Sequence, residues 1–225
     1  MNKHFRVPGR LALKLEELGV PVSAVLRRAG LPGDLFAQTR VLVTTPELFA
    51  LWRAIGEVVK DPAIGLKLAS ETRTEHFHPS AIAALSTASF GAAVDHIARY
   101  KQLTCPEEIL QDMSHGEWTI RFRWLLAVES EPHALVDCCF AWLQTIARHG
   151  SGTLIKPLRV HLVQPRAHAR ILERHFGCER SLNPSTVPPT SQQSKPSDTP
   201  TTFEVWTNDS NTLQGQHFCR LYHDL

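Results

Sequence analysis

The chain has 225 residues, of which 43% are hydrophobic and 20% charged, and its formal net charge is +2 at pH 7. This weak charge, without runs of like sign, argues against a nucleic-acid or anionic-membrane surface. No apolar stretch approaches the roughly 20 residues of a membrane span, and the N-terminus lacks the apolar core of a signal peptide. Five cysteines, two of them adjacent at Cys138 and Cys139, fit a reducing cytoplasm better than a disulfide framework.

The composition changes sharply near Arg180. Residues 1–180 contain 21 alanines and residues 181–225 contain none, while Ser, Thr, Pro, Asn and Gln supply 25 of those last 45 positions. So polar a stretch buries too little apolar surface to offset the entropy of ordering it. We therefore predict two parts: a compact domain over residues 1–180 and a polar disordered tail over 181–225.

The first hundred residues have mainly helical patterning. Thr45-Pro46-Glu47 is a typical helix start, with a hydroxyl cap, a proline in the first turn and an acidic residue. Leu48, Leu51 and Ile55 continue it at helical spacing. Stop and start signals built from Gly and Pro predict further helices at 11–18, 22–29, 62–68, 79–89 and 90–103.

After Cys105-Pro106 the period of the pattern changes to two. Trp118, Ile120, Phe122 and Trp124 alternate with polar residues, which predicts a half-buried strand paired with a strand near 109–113 through a turn at 114–116. A long helix over 131–148, a third strand over 158–162 and a helix over 166–176 follow. We predict an α+β fold, with a helical N-terminal half packed on a small antiparallel sheet with further helices. The last helix should lead into another strand, and the sequence shows no clear candidate.

Residues that could carry chemistry do not form recognisable motifs. His76 and His78, His168 and His175, and the Cys138-Cys139 pair match neither a CxxC pair nor an HExxH helix, so we expect no metal site. No nucleophile elbow, phosphate-binding loop or dinucleotide fingerprint occurs, so we expect no cofactor. Cysteine catalysis is disfavoured because both adjacent thiols fall mid-helix. We do not expect an enzyme.

Three tryptophans invite a binding hypothesis. Trp118 and Trp124 lie on the predicted strand and Trp142 on the following helix. They either fill the core or wall a small-molecule cavity between the 117–126 strand and the 131–148 helix. Arg121 and Arg123 share the opposite strand face and are expected to face solvent or a partner.

Four stretches together resemble a known family. They are Asp61–Ala69, Ala81–Leu103, Val160–Pro165 and the run His175-Phe176-Gly177-Cys178. Their order and spacing are similar to the N-terminal effector-binding domain of AraC-type transcriptional regulators, in the group called arabinose-binding-like. The likeness extends from about Leu18 to Glu179.

The resemblance implies that residues 1–180 are an effector-binding and oligomerisation domain, an α+β sensor that binds a small-molecule effector and often self-associates. Family members continue into a DNA-binding module of two helix-turn-helix units, and residues 181–225 contain no such pattern. We interpret the chain as truncated or frameshifted before that module, so that DNA would be contacted only through the missing part. The alternatives are a stand-alone binding or dimerisation protein that antagonises a full-length regulator through mixed dimers, and an unrecognised enzyme.

Overall fold

Helices surround two antiparallel sheets in the computed structural model, which describes residues 3–70, 76–114, 117–153, 155–157, 159–161, 168–177 and 202–205. The helices are α1 (Arg10–Glu17), α2 (Val22–Ala29), α3 (Thr45–Val59), α4 (Ile64–Ala69), α5 (Pro79–Leu85), α6 (Phe90–Thr104), α7 (His133–Ser151) and α8 (Ala169–Phe176). The strands are β1 (Phe5–Arg6), β2 (Leu42–Val43), β3 (Glu107–Ser114), β4 (Glu117–Trp124), β5 (Arg159–His161) and β6 (Thr202–Val205). The predicted α+β architecture is confirmed.

The larger sheet has the strand order β3-β4-β6-β5, with every neighbouring pair antiparallel. The hairpin of β3 and β4 starts with Glu107 opposite Trp124 and ends with Ser114 opposite Glu117. The predicted turn falls partly on residues 115–116, which lie outside the described residues. In the smaller sheet β1 pairs with β2, with Phe5 opposite Val43. The sequence analysis did not predict these two short strands.

The tail contributes a strand where its composition predicted none. Residues Thr202–Val205 form β6, which pairs with both β4 and β5 and places Phe203 opposite Ile120 and Val160. The alternation Thr-Phe-Glu-Val is itself a short strand pattern, and an argument from average composition passes over so short a stretch. These four residues are the part of the predicted tail that the structure describes, and the rest of 181–225 lies outside the described residues.

The buried apolar residues form two clusters that divide within α4. The N-terminal cluster consists of the buried apolar residues between Phe5 and Ile64, together with Trp124, Ala134 and Leu135. The sheet cluster consists of the buried apolar residues between Leu66 and Phe176 other than those three and Ala169. Both β4 and α7 therefore cross from one cluster to the other.

Two local features hold the helices that carry these clusters. Thr44 caps α3 in a reciprocal arrangement with Glu47, since the Thr44 backbone N–H donates to Glu47 Oε2 at 2.7 Å and the Thr44 hydroxyl accepts from the Glu47 N–H. Helix α4 packs closely on α7 at Gly65, where an added Cβ would lie 2.3 Å from the Ala134 carbonyl oxygen. The absence of a side chain at Gly65 is what allows this approach.

Candidate functional site

The most unusual polar group in the described structure lies where the two clusters meet. On α7, Cys138 and Cys139 pack against both clusters, and Cys105 packs against the N-terminal cluster. Lys101, in the last turn of α6, and Glu107, the first residue of β3, complete the group. We call these five residues the seam.

A buried ion pair occupies the seam. The Lys101 ammonium donates to Glu107 Oε2, and it also lies 5.7 Å from the centroid of the Phe122 ring. The Glu107 side chain is only 1% exposed, whereas the Lys101 side chain is 20% exposed. Glu107 Oε1 is buried and has no hydrogen-bond partner in the part of the chain that the structure describes. The pair thus has one fully enclosed member and one that solvent reaches.

The pairing keeps the lysine charged despite its surroundings. Burial lowers the pKa of Lys101, but Glu107, Cys139 and Cys105 together more than offset burial, and the net pKa is raised. Such pairs cost desolvation energy and contribute little net stability compared with apolar side chains of similar volume. Stability alone is therefore a poor reason for placing this pair in an apolar interior.

The three thiols of the seam are not poised as nucleophiles. Burial raises the pKa of Cys138 to about 12 and that of Cys139 well above its ordinary value. Burial also raises the pKa of Cys105, whose Sγ lies 3.5 Å from the Lys101 carbonyl oxygen and 3.9 Å from Glu107 Oε2. A thiol with a raised pKa stays protonated at neutral pH and reacts slowly. Their raised pKa values therefore give none of these three thiols the reactivity of an activated nucleophile.

The His78 side chain is a second polar group, and it lies close enough to Lys101 for the lysine charge to affect its pKa. The pKa of His78 is lowered, first by burial and then by the positive charges of Arg6 and Lys101. His78 also caps α5, because its Nδ1 accepts from the Ser80 N–H at 3.3 Å. A neutral imidazole is the form that can accept this bond, so the cap and the lowered pKa are consistent.

The structure does not gather the three tryptophans into one wall. Trp118 lies in the sheet cluster against Phe90, with ring centroids 5.6 Å apart. Trp124 lies in the N-terminal cluster, with its ring 5.5 Å from those of both Phe5 and Phe49. Trp142 is half-buried and packs against the sheet cluster. Only Trp124 is directly opposite a seam residue, Glu107.

The remaining candidate residues have ordinary surroundings. Arg123 is exposed, as expected, and pairs with Glu108 on the neighbouring strand, with Nε 3.0 Å from Glu108 Oε2. Arg121 is only partly exposed, and its Nε is buried. Among the described residues, no group of three or more His, Cys, Asp or Glu side chains could hold a metal ion.

The ion pair was not predicted from the sequence, although the alternation of residues in β3 indicates it. In β3, Glu107 is two residues before the buried Ile109, so strand alternation places this acidic residue on the core face. An acidic residue on an apolar strand face needs a cationic partner. Lys101, one turn before the end of the preceding helix, is close enough in the chain to provide it.

Comparison with known families agrees with the resemblance. Residues 19–186 match the model of the arabinose-binding domain at the N-terminus of AraC transcription regulators. The chain belongs to this family. The family is a regulatory, ligand-binding one rather than a family of enzymes, so the domain is a sensor for a small-molecule effector in transcription regulation. No curated relative matches the chain. Within the described residues, none of the helices combines the length and apolar character that crossing a membrane requires.

Proposed function

We propose that this domain senses its effector at the seam, and that the occupied seam alters how the two clusters pack. The observation that carries the proposal is the ion pair of Lys101 and Glu107, enclosed between two apolar clusters. Binding sites for small molecules are mostly apolar with a few convergent polar groups, and they often form where packing units meet. The seam has both features.

Space beside the seam supports the same proposal. Cys138 and Cys139 touch both clusters, yet each retains part of its accessible surface, as do Cys105 and Lys101. Accessible surface on residues so enclosed requires a space at least as large as a water molecule next to them. We propose that this space is a crevice between α6, which carries Lys101, and α7, which carries Cys138 and Cys139.

This proposal assigns different roles to the three tryptophans. Trp124, opposite Glu107 in the hairpin, is the one that we place in the wall of the effector site. Trp118 lies within the sheet cluster and Trp142 packs against it from a half-buried position, so neither is assigned to the effector site. Of the two elements in the original cavity hypothesis, the seam includes the 131–148 helix through Cys138 and Cys139, and it borders the 117–126 strand at Trp124, opposite Glu107.

Two substitutions at one position test the location. Cys139→Ala keeps the space beside the seam open, and Cys139→Leu fills it. Thermal unfolding is measured for the wild-type chain and both variants against a panel of small carboxylic acids, amino acids, amides, alcohols and sugars. We expect a compound that raises the Tm of the wild type to do so with Cys139→Ala but not with Cys139→Leu. Equal shifts in both variants would place the effector elsewhere.

DNA contact and self-association belong to the same proposal. We propose that residues 1–225 do not read DNA sequence themselves, because they contain no helix-turn-helix pattern, and that a separate module does so. We also propose that the chain self-associates, because domains of this family often do so. Light scattering of the purified chain tests this, since an antagonist acting through mixed dimers has to self-associate and a strictly monomeric chain would contradict that alternative.

A further inference from the structure

The charge balance of the seam restricts what the effector can be. Lys101 has three ammonium donors, and the only hydrogen bond found for it in the described structure is the one to Glu107. Lys101 is also the accessible member of the pair, while Glu107 lies enclosed behind it. A ligand that enters the seam can therefore accept a hydrogen bond from one of the remaining N–H groups of the Lys101 ammonium.

The carboxylate behind that lysine decides which acceptor is suitable. Glu107 already balances the charge of Lys101, and its Oε1 carries negative charge with no donor from the described residues. An anion bonded to Lys101 would come within a few ångströms of this carboxylate in an apolar environment, where like charges repel strongly. A cation would meet the ammonium instead, so either charge on the ligand would be buried without compensation.

We infer that the effector presents an uncharged hydrogen-bond acceptor, such as a carboxamide, carbonyl or hydroxyl oxygen, to the Lys101 ammonium, and that Glu107 is the residue that rejects carboxylates. The inference rests on the proposed location of the effector site and adds its chemical selectivity. Arg6 and Lys101 are the positive charges that lower the pKa of His78. Glu107 contacts Lys101 directly, so a ligand bound to the Lys101 ammonium is influenced more by the Glu107 charge than by Arg6.

Two nearly isosteric probes, n-butyramide and n-butyrate, measure this selectivity. Trp124 lies opposite Glu107, so 5-fluorotryptophan labelling, with Trp124 assigned through a Trp124→Phe variant, provides a ¹⁹F reporter at the site. In the wild-type chain we expect n-butyramide to give a saturable shift with an affinity at least about tenfold tighter than n-butyrate.

Charge substitution distinguishes selection by Glu107 from general polarity. Glu107→Gln keeps the size and an acceptor for Lys101 but removes the negative charge, so we expect the preference to reverse toward n-butyrate. Replacing both members, Lys101→Met with Glu107→Met, suits an apolar interior and should abolish the preference while the chain still folds. Circular dichroism of each variant checks the fold.

Each outcome bears on a definite claim. A wild-type preference for n-butyrate, or the same preference in Glu107→Gln, would overturn the assignment of Glu107 while leaving the site in place, provided that Cys139→Leu still blocks effector binding. Absence of any saturable shift at Trp124 with either probe would count against both the inference and the proposed site.

Discussion

Gly65 shows how one residue sets the distance between two helices. An added Cβ would lie 2.3 Å from the Ala134 carbonyl oxygen and 2.9 Å from Asp137 Cβ, so α4 and α7 would have to separate. We expect Gly65→Ala to lower the free energy of unfolding by about 1–3 kcal/mol, measured by urea denaturation.

Gly56 provides the matched control for that substitution. It lies inside α3, and nothing lies within 4 Å of a Cβ added there. Gly56→Ala should raise the free energy of unfolding by roughly 0.5–1 kcal/mol, because alanine loses less backbone entropy in a helix. If both substitutions stabilise the chain, the close packing of α4 on α7 is wrong.

The tryptophans differ in burial, and their removal should differ accordingly. Trp124 is buried against two phenylalanine rings, so Trp124→Ala should cost about 3–5 kcal/mol of unfolding free energy. Trp142 is half-buried, and Trp142→Ala should cost less than about 2 kcal/mol. Urea unfolding of the two variants measures the difference. Equal costs would mean that Trp142 is as much a core residue as Trp124.

At the scale of the element, the start of α3 makes stability depend on pH. Hydrogen bonds from the Thr44 backbone and hydroxyl hold the pKa of Glu47 below its ordinary value of 4.5. A carboxyl group whose pKa is lower in the folded state stabilises the fold above its unfolded pKa. That contribution is lost as the pH falls through the folded pKa.

Glu47→Gln isolates this effect. A glutamine side chain can still accept the hydrogen bond from the Thr44 backbone N–H, but it carries no charge at any of these pH values. We expect the wild type to exceed this variant by about 0.5–1 kcal/mol in unfolding free energy near neutral pH. The difference should disappear in acid, once the pH has fallen below the lowered pKa of Glu47. Chemical denaturation at a series of pH values measures it, and a difference that stays constant into acid would contradict the role of the Glu47 charge.

The long, strongly patterned elements were predictable because a single local cause sets each one. The start signal of α3 and the apolar alternation of β4 each consist of neighbouring residues in the sequence. Both elements form where expected, with Thr44 as the cap of α3. Short pairings such as β1 with β2 depend on a distant partner, and β6 depends on a gap between β4 and β5. Neither condition is visible in a local window.

The site illustrates the same division between local and distant causes. The aromatic residues Trp118 and Trp124 lie on the expected strand, but the division of the core into two clusters separates them. The boundary between the clusters runs through α4, β4 and α7, and no local sequence pattern indicates it. For the ion pair, strand alternation predicts from local sequence that Glu107 is buried. Its contact with Lys101 depends on how the chain turns between the end of α6 and the start of β3.

At the scale of the whole molecule, the sensor and any DNA-reading element should be separable. Sequence readout requires an element placed in a groove together with several phosphate contacts. Because residues 1–225 contain no helix-turn-helix pattern, we expect only weak, salt-sensitive binding of promoter fragments. A gel-shift titration at increasing salt measures it. Salt-resistant preference for one fragment would show that part of this chain reads DNA directly.

Location of the effector site at the seam is the claim on which the account of function depends. Crystals of the chain soaked with a library of small uncharged and charged fragments test it most directly, because electron density reports where each compound binds. We expect uncharged fragments to bind beside Cys138 and Cys139, with an acceptor oxygen within hydrogen-bond distance of Lys101 Nζ. Fragments gathered against Trp118 and Trp142, with the seam empty, would contradict it.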